Sequence, residues 1–303
     1  MHHTAMGLAA MVGLLLLAGT HATSGTRKRV HLAGNVYSWH VYLAREGRTF
    51  GTDLDADVRE IAAAGLDGLE PILTSAEDAD RFGTALKKAG LAMRSAYVNT
   101  TLHRQPDAAE SIRQVCAIAD RARTYGCRIL VTNPNPIRWG GTEDKSDDEL
   151  RIQARALEDL GHALKRRGMV LAYHNHDIEL RQAARELHHM MVATDESLVK
   201  LCLDAHWIYR GSGNSEVALL DFVRLYGRRV VEVHLRQSHG GTWAEVFGEG
   251  DIDYHNLFAE LRRLRVRPHL VLEQAVEEGT PRTMPAVEAI RKSADAARLL
   301  WVE

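Results

Sequence analysis

Met169-Val-Leu-Ala-Tyr-His174, Val199-Lys-Leu-Cys-Leu-Asp204, Val230-Val-Glu-Val-His234 and His269-Leu-Val-Leu-Glu273 are short, mostly apolar runs, each ending in a side chain that can bind a metal. Their last residues stand 30, 30 and 39 positions apart, about the length of one strand-plus-helix unit. Near-continuous apolar runs fit strands buried on both faces. In a barrel of such units, polar side chains at the C-terminal strand ends converge on one site. The spacing therefore predicts a single metal centre at a barrel mouth.

The first half of the chain repeats the pattern. Strand-like runs occur at Val30-His-Leu-Ala-Gly-Asn35, Gly68-Leu-Glu70-Pro-Ile-Leu, Ala92-Met-Arg-Ser-Ala-Tyr-Val98 and Cys127-Arg-Ile-Leu-Val-Thr132. Helical patterns lie between them: Ser75 to Lys88, Asp107 to Tyr125, and Ser146 to Arg167. Helix, glycine, strand recurs at Gly65, Gly90, Gly126 and Gly168, as expected where a helix stops on a left-handed residue. Eight strands alternating with helices place the chain in the α/β class as a (β/α)8 TIM barrel. Residues 26–303 are long enough for one such domain, which needs about 250 residues. A doubly wound open sheet is the alternative, but it usually carries a glycine-rich phosphate loop. The sequence has no G-x-G-x-x-G pattern.

Composition narrows the partners. The chain has 303 residues, 26% of them charged, and a formal net charge of −2, so it has no overall cationic field to hold a nucleic acid. Residues 1–25 read as a leader: Gly7 to Thr20 is apolar and uncharged, and small residues follow at Ala18-Gly-Thr-His-Ala22. The run is short for a membrane span and reads as a signal peptide, implying a periplasmic or secreted protein. Cys116, Cys127 and Cys202 form no paired framework and read as small buried hydrophobes.

The strand ends supply the chemistry. The first offers Asn35 and His40, the second Glu70, the third Asn99 and His103, the fourth Asn133. The fifth gives His174, His176 and Glu179, the sixth Asp204 and His206, the seventh His234 and Arg236, the eighth Glu273. Residues two apart on a strand share a face. If His174, Asp204 and His234 meet a metal, then His176, His206 and Arg236 should stand above it, towards substrate. Carboxylates mixed with imidazoles suit a divalent ion such as manganese, cobalt, zinc or magnesium, and oxygen-rich ligation favours manganese. Such an ion would hold two neighbouring substrate oxygens and stabilise an enediolate, while a carboxylate or histidine moves the proton.

Tyr173-His-Asn-His-Asp-Ile-Glu179, Leu203-Asp-Ala-His206, Val233-His-Leu-Arg236, Gly248-Glu-Gly-Asp-Ile-Asp253 and Val271-Leu-Glu273 together resemble the xylose isomerase-like barrels of the sugar phosphate isomerase/epimerase superfamily. The resemblance spans about residues 30–300. It implies a metal held by Glu, Asp, His and Glu from strands five to eight. Asp204, His234 and Glu273 match three of these. The fourth position holds His174, with Glu179 five residues on as the other candidate ligand. The resemblance also implies that His206 and Arg236 touch substrate oxygens, with Glu249 near the pocket rim. Glu273, Glu179 and His176 are the candidate proton-transfer groups, and Glu70, Asn99, His103 and Asn133 the remaining substrate contacts.

The implied activity is isomerisation or epimerisation of an unphosphorylated sugar, keto-sugar or keto-glycoside, because the strand ends carry no cluster of Lys or Arg for a phosphate. Keto-sugar or keto-inositol dehydration or hydration on the same barrel is the alternative. A nuclease of the endonuclease IV kind would need a basic groove, and the metal-type side chains argue against a non-catalytic carbohydrate binder. The expected partners are a small carbohydrate and further copies of the chain, as a homodimer or homotetramer. Neither a nucleic acid nor, after leader removal, a membrane is expected.

Overall fold

The computed structural model describes residues 1–2 and 29–300. The apolar stretch read as a signal peptide lies outside the described residues. Eight strands form one parallel sheet: β1 Leu32–Asn35, β2 Gly68–Glu70, β3 Ser95–Tyr97, β4 Ile129–Thr132, β5 Val170–His174, β6 Val199–Asp204, β7 Val230–Leu235 and β8 His269–Leu272. The order β2-β1-β8-β7-β6-β5-β4-β3 runs once round the barrel. Isolated parallel bridges Gly68↔Ala92 and Ile72↔Tyr97 join β2 to β3 and nearly close it. At that seam a Cβ on residue 68 would lie 2.4 Å from the Ala92 carbonyl oxygen, so only glycine lets the two backbones meet.

Helices fill the crossovers. Two follow β1, α1 Val36–Arg45 and α2 Leu54–Ala63. Then come α3 Ala76–Lys88, α4 Asp107–Ala122, α5 Asp147–Lys165 and α6 Arg181–Ala193. Two more follow β6, α7 Ala205–Gly211 and α8 Glu216–Tyr226. The last are α9 Tyr254–Arg263 and α10 Ala286–Leu299. Their starts are read locally: Ser75 Oγ accepts from the Asp78 amide, and Ser146 forms a reciprocal capping box with Glu149. Gly126, between α4 and β4, has φ +98°, which a residue with a Cβ adopts only at a cost.

The third and fourth strands are shorter than the sequence suggests. Ala92 makes only the single seam bridge, and the Cys127 amide is drawn back to the Ala122 carbonyl at the end of α4. Between β7 and α9 a short hairpin pairs Ser238–His239 with Thr242–Trp243, which the sequence pattern did not suggest. In α6, Gln182, Ala183 and Ala184 have φ between +52° and +58°, a left-handed turn at the start of the helix.

The sheet divides the apolar core. A large cluster packs helices onto the outer strand faces, through residues such as Leu130, Leu171, Tyr173, Leu203 and Val233. A small cluster, Val131, Ala172 and Cys202, lies apart from it. It occupies the alternate strand positions, the side shared by His174 and Asp204 and hence the barrel interior. Buried polar side chains on the same side, among them Glu70, Ser95 and Glu232, lie beneath the site.

Candidate metal centre and active site

β5 ends on His174 and β6 on Asp204; His234 is the penultimate residue of β7, and Glu273 directly follows β8. Asp204 and His234 pair directly across the β6–β7 ladder. His174 Nε2 lies 3.1 Å from His234 Nδ1 and 3.9 Å from Asp204 Oδ2. His234 Nδ1 lies 3.0 Å from Glu273 Oε2. One atom from each of the four falls within 4.8 Å of the others, and all four residues are buried.

These residues fit a divalent cation. Asp204 Oδ2 is buried with no hydrogen-bond partner among the described residues, whereas buried polar atoms are nearly always paired. Two imidazole nitrogens face each other at contact distance beside two carboxylates. A shared cation would satisfy all of them, and a mixed N/O set suits a first-row divalent ion.

A lower tier orients the set. His234 Nε2 points away from the other three, 3.0 Å from Glu70 Oε1 and 3.4 Å from Glu232 Oε1. Asn35 Nδ2 donates to Glu70 Oε1 at 2.7 Å. Burial and the neighbouring Glu70 raise Glu232 to about 8, so Glu70 is the ionised partner, and a carboxylate on one ring nitrogen fixes the ring so that the other faces the site, a common arrangement behind metal-binding histidines.

The electrostatics separate the members. Burial, reinforced by His176 and His234, pushes His174 well below the ordinary imidazole range, so it stands neutral with a lone pair to give. Burial works against the charged forms of Glu273 and His234 too. Arg236 and His234 outweigh it and hold Glu273 well below the carboxylate range. Cys202, Glu70 and Glu273 outweigh it at His234 and raise that imidazole. Asp204 rises to about 7, with burial the largest cause and Arg236 the main opposing one.

Arg236 closes one side. Its Nη2 lies 2.7 Å from Glu273 Oε2 and 3.7 Å from Asp204 Oδ2, and its guanidinium stands 4.4 Å from the Trp243 ring centroid and 5.2 Å from that of Trp207. A fully buried guanidinium is tolerated because it is paired. Above the four donors opens a cavity of about 460 Å³. Its walls are Tyr37, Ile72, Tyr97, Trp139 and Trp207, and its polar lining includes Asn99, His174, His176, Arg236 and Glu273. Among the described residues lining it, Arg236 alone carries a permanent positive charge, and that charge is matched by carboxylates.

The remaining expected residues divide. His176 and Asn99 line the cavity. Glu70 sits beneath it, on His234. Glu179 is a correction: it lies in the 3-10 turn Ile178–Leu180, accepting from the His176 amide at 2.6 Å and from Asn133 Nδ2 at 3.1 Å. It stays out of the four-residue cluster and the cavity lining, so the strand-five position in the cluster belongs to His174. Asn133, which also donates to the His174 carbonyl, braces that turn instead of facing the cavity.

His206 is also corrected. Asp204 caps α7, with Oδ1 accepting from the Trp207 amide. The strand alternation therefore stops there, and His206 Nε2 turns to Ser238 Oγ at 2.9 Å. His103 is buried outside the cavity lining with no hydrogen-bond partner among the described residues, and His40 packs on Phe50. Glu249 is exposed in a separate cavity with Tyr254, His255 and Leu300. The Gln237 amide and the Asp251 carboxylate pin that loop onto residues 237–241, and Glu249 is left on its outer side. Glu232 and the aromatic walls were not anticipated. Glu232 carried a signal, a charge inside an apolar strand in alternation with His234 and Arg236. The aromatics follow no spacing rule.

The sequence of residues 58–300 matches the family model described as a xylose isomerase-like TIM barrel. The chain belongs to the xylose isomerase-like TIM barrel family. Among relatives of this family, inosose dehydratase from Clostridium perfringens is 26% identical over 245 residues, covering 71% of this chain and 80% of that protein. A sugar phosphate isomerase/epimerase from Parabacteroides distasonis shares the fold with a TM-score of 0.71 at 16% identity, over 93% of this chain and 98% of its own. The 3-keto-D-glucoside 4-epimerase of Escherichia coli superposes with a TM-score of 0.66 at 17% identity, over 89% and 100%.

Proposed function

We propose that this protein is a divalent-metal-dependent isomerase or epimerase of an unphosphorylated sugar, keto-sugar or keto-glycoside. The observation that carries the reading is the convergence of His174, Asp204, His234 and Glu273 within 4.8 Å beneath an aromatic-walled cavity whose one permanent cation is already paired. Those four residues would hold the ion, manganese being the best match to the donor set. When bound, the ion supplies Lewis acidity towards a substrate carbonyl.

The chain's own groups do the rest. Glu273 and His176 both line the cavity, and on this reading they take or return a proton alpha to a carbonyl. Burial lowers His176 to about 4, so at neutral pH it is an uncharged acceptor. Arg236 keeps Glu273 ionised and is within reach of a substrate oxygen. Tyr37, Tyr97, Trp139 and Trp207 offer ring faces to the apolar side of a sugar and shed water from around the reacting carbon. A phosphate would find no uncommitted cation here, which favours neutral substrates.

Elimination is the second reading, favoured by the inosose dehydratase relatives. Both reactions begin with removal of the same proton. Export through the N-terminal leader is part of the proposal, because a periplasmic enzyme would meet unphosphorylated sugars.

The test is proton exchange. Manganese-loaded protein is incubated with keto-sugars and keto-inositols in heavy water, and the alpha proton is followed by NMR. Exchange that is lost in Glu273→Ala together with metal content supports the reading. Sugars that shift the melting temperature without exchange would make the protein a binder, and full exchange by metal-replete Glu273→Ala would remove Glu273 from the site.

A further inference from the structure

A second cavity, of about 250 Å³, opens beside the first where the ends of β2 and β3 meet α4. Asn99 lines both cavities. Consecutive residues of the β2–α3 turn, Ile72 in the first and Leu73 in the second, form the partition. Trp139 in the first wall also donates through Nε1 to Asn135 Oδ1 in the second, at 3.4 Å. The two spaces are thus neighbours joined at a polar edge.

The chemistry of the second cavity is uniform. Its polar lining is Thr74, Asn99, Thr100, Thr101, Ser111, Gln114 and Asn135, with Leu73 and Ile118 supplying an apolar patch, and no ionisable side chain takes part. The wall is pre-ordered: Ser111 Oγ accepts from the Thr101 amide at 2.9 Å, Asn135 Nδ2 donates to Thr101 Oγ1 at 3.1 Å, and Gln114 Nε2 donates to the Thr74 carbonyl at 2.7 Å. Asn99 is exposed to the space, and no hydrogen bond commits its side chain among the described residues. Neutral donors and acceptors around an apolar patch match a sugar ring, which has hydroxyls at its rim and C–H bonds on its face. A pyranosyl residue occupies on the order of 150 Å³, about five water-sized units of 30 Å³, so one ring fits. An anion would meet no cation there.

We propose that this cavity is a subsite for a second, neutral sugar ring, so that the substrate is a keto-glycoside whose keto-bearing unit lies over the four-residue centre. The inference rests on the carbohydrate reading of that centre. Asn99 bridges the two rings, and the glycosidic oxygen crosses above Ile72.

The test compares D-fructose with glucosyl-fructoses that keep a free ketose: isomaltulose, turanose and leucrose, which differ in linkage. Each is titrated calorimetrically into manganese-loaded protein, and alpha-proton exchange is read in parallel. At least one disaccharide should bind about tenfold tighter than fructose, the yield of one or two net hydrogen bonds. Gln114→Trp, at an exposed position on α4, fills the cavity and should bring the ratio of disaccharide to fructose affinity to near one. Equal affinity in the parent protein, binding of neither sugar class, or a preference that survives Gln114→Trp overturns the subsite. Tighter disaccharide binding without exchange from any sugar leaves the subsite standing and overturns the catalytic reading, so the two failures are distinct.

Discussion

Glu179→Gln should change the sign of its effect on stability with pH. Glu179 is buried and accepts from the His176 amide and Asn133 Nδ2. Burial first, then repulsion from Glu186, raises its carboxyl from 4.5 to about 7. Between those values the folded protein keeps a proton that the unfolded chain has released. Stability from this group is therefore complete below about pH 4.5, falls as pH rises through the window, and levels off above about 7. A gap of about 2.5 units at about 1.36 kcal/mol per unit is a loss of about 3 kcal/mol. Glutamine carries no charge at either end of the window, but it offers one acceptor where Glu179 satisfies two donors, a loss of about 1 kcal/mol. The variant should thus be about 1 kcal/mol less stable than the parent near pH 4.5 and about 2 kcal/mol more stable at pH 8. Urea denaturation of both proteins, metal-free, across this range measures the difference. Parallel curves would refute the buried-carboxyl argument, and loss of metal binding in the variant would return Glu179 to the ligand set.

Asp204→Asn should reduce bound metal by more than about 100-fold, beyond the effect of losing an orienting partner, while keeping the α7 cap that asparagine also provides; unchanged metal content with native circular dichroism would exclude Asp204 as a ligand. Glu70→Gln removes the ionised carboxylate behind His234 and should weaken metal binding by about 10–100-fold; an unchanged dissociation constant by calorimetry would remove Glu70 as the orienting group. Ala183→Gly relieves a Cβ at φ +58° and should stabilise by about 1 kcal/mol, a rise of about 2–4 °C in Tm. A lower Tm would contradict the left-handed turn at the start of α6.

The barrel was legible because its two periods are both local. Alternation along each strand and the recurrence of about thirty residues place His174, Asp204, His234 and Glu273 at one end with no knowledge of tertiary contacts. The same alternation placed Glu232 under His234, a charge within Val230-Val-Glu-Val-His234 that deserved the same reading as its neighbours. The rule failed where the strand ended. His206 was assigned to the pocket by continuing the alternation beyond Asp204, but Asp204 is already a helix cap and the chain turns. Glu249 was misplaced because its loop is held by side-chain bonds from Gln237 and Ser238, which no strand or helix period announces. Glu179 was drawn towards the metal by its charge, but in the short turn that holds it, Asn133 and the His176 amide claim both of its oxygens. The aromatic walls come from four different segments, and no pattern within any one of them marks a shared surface.

Asp204 ends β6 and begins α7 without an intervening residue, one carboxylate oxygen holding the helix and the other facing the site. Barrels of this kind acquire new substrates mainly by lengthening the segments that follow their strands. Here that route is shut after β6, since an insertion would separate the helix cap from the carboxylate at the centre. The segments after β4, β7 and β8 carry no such double duty, and they are the longer ones. Divergence in substrate choice among related chains should therefore be concentrated in residues 134–146, 237–253 and 274–285, with the β6–α7 corner fixed in length.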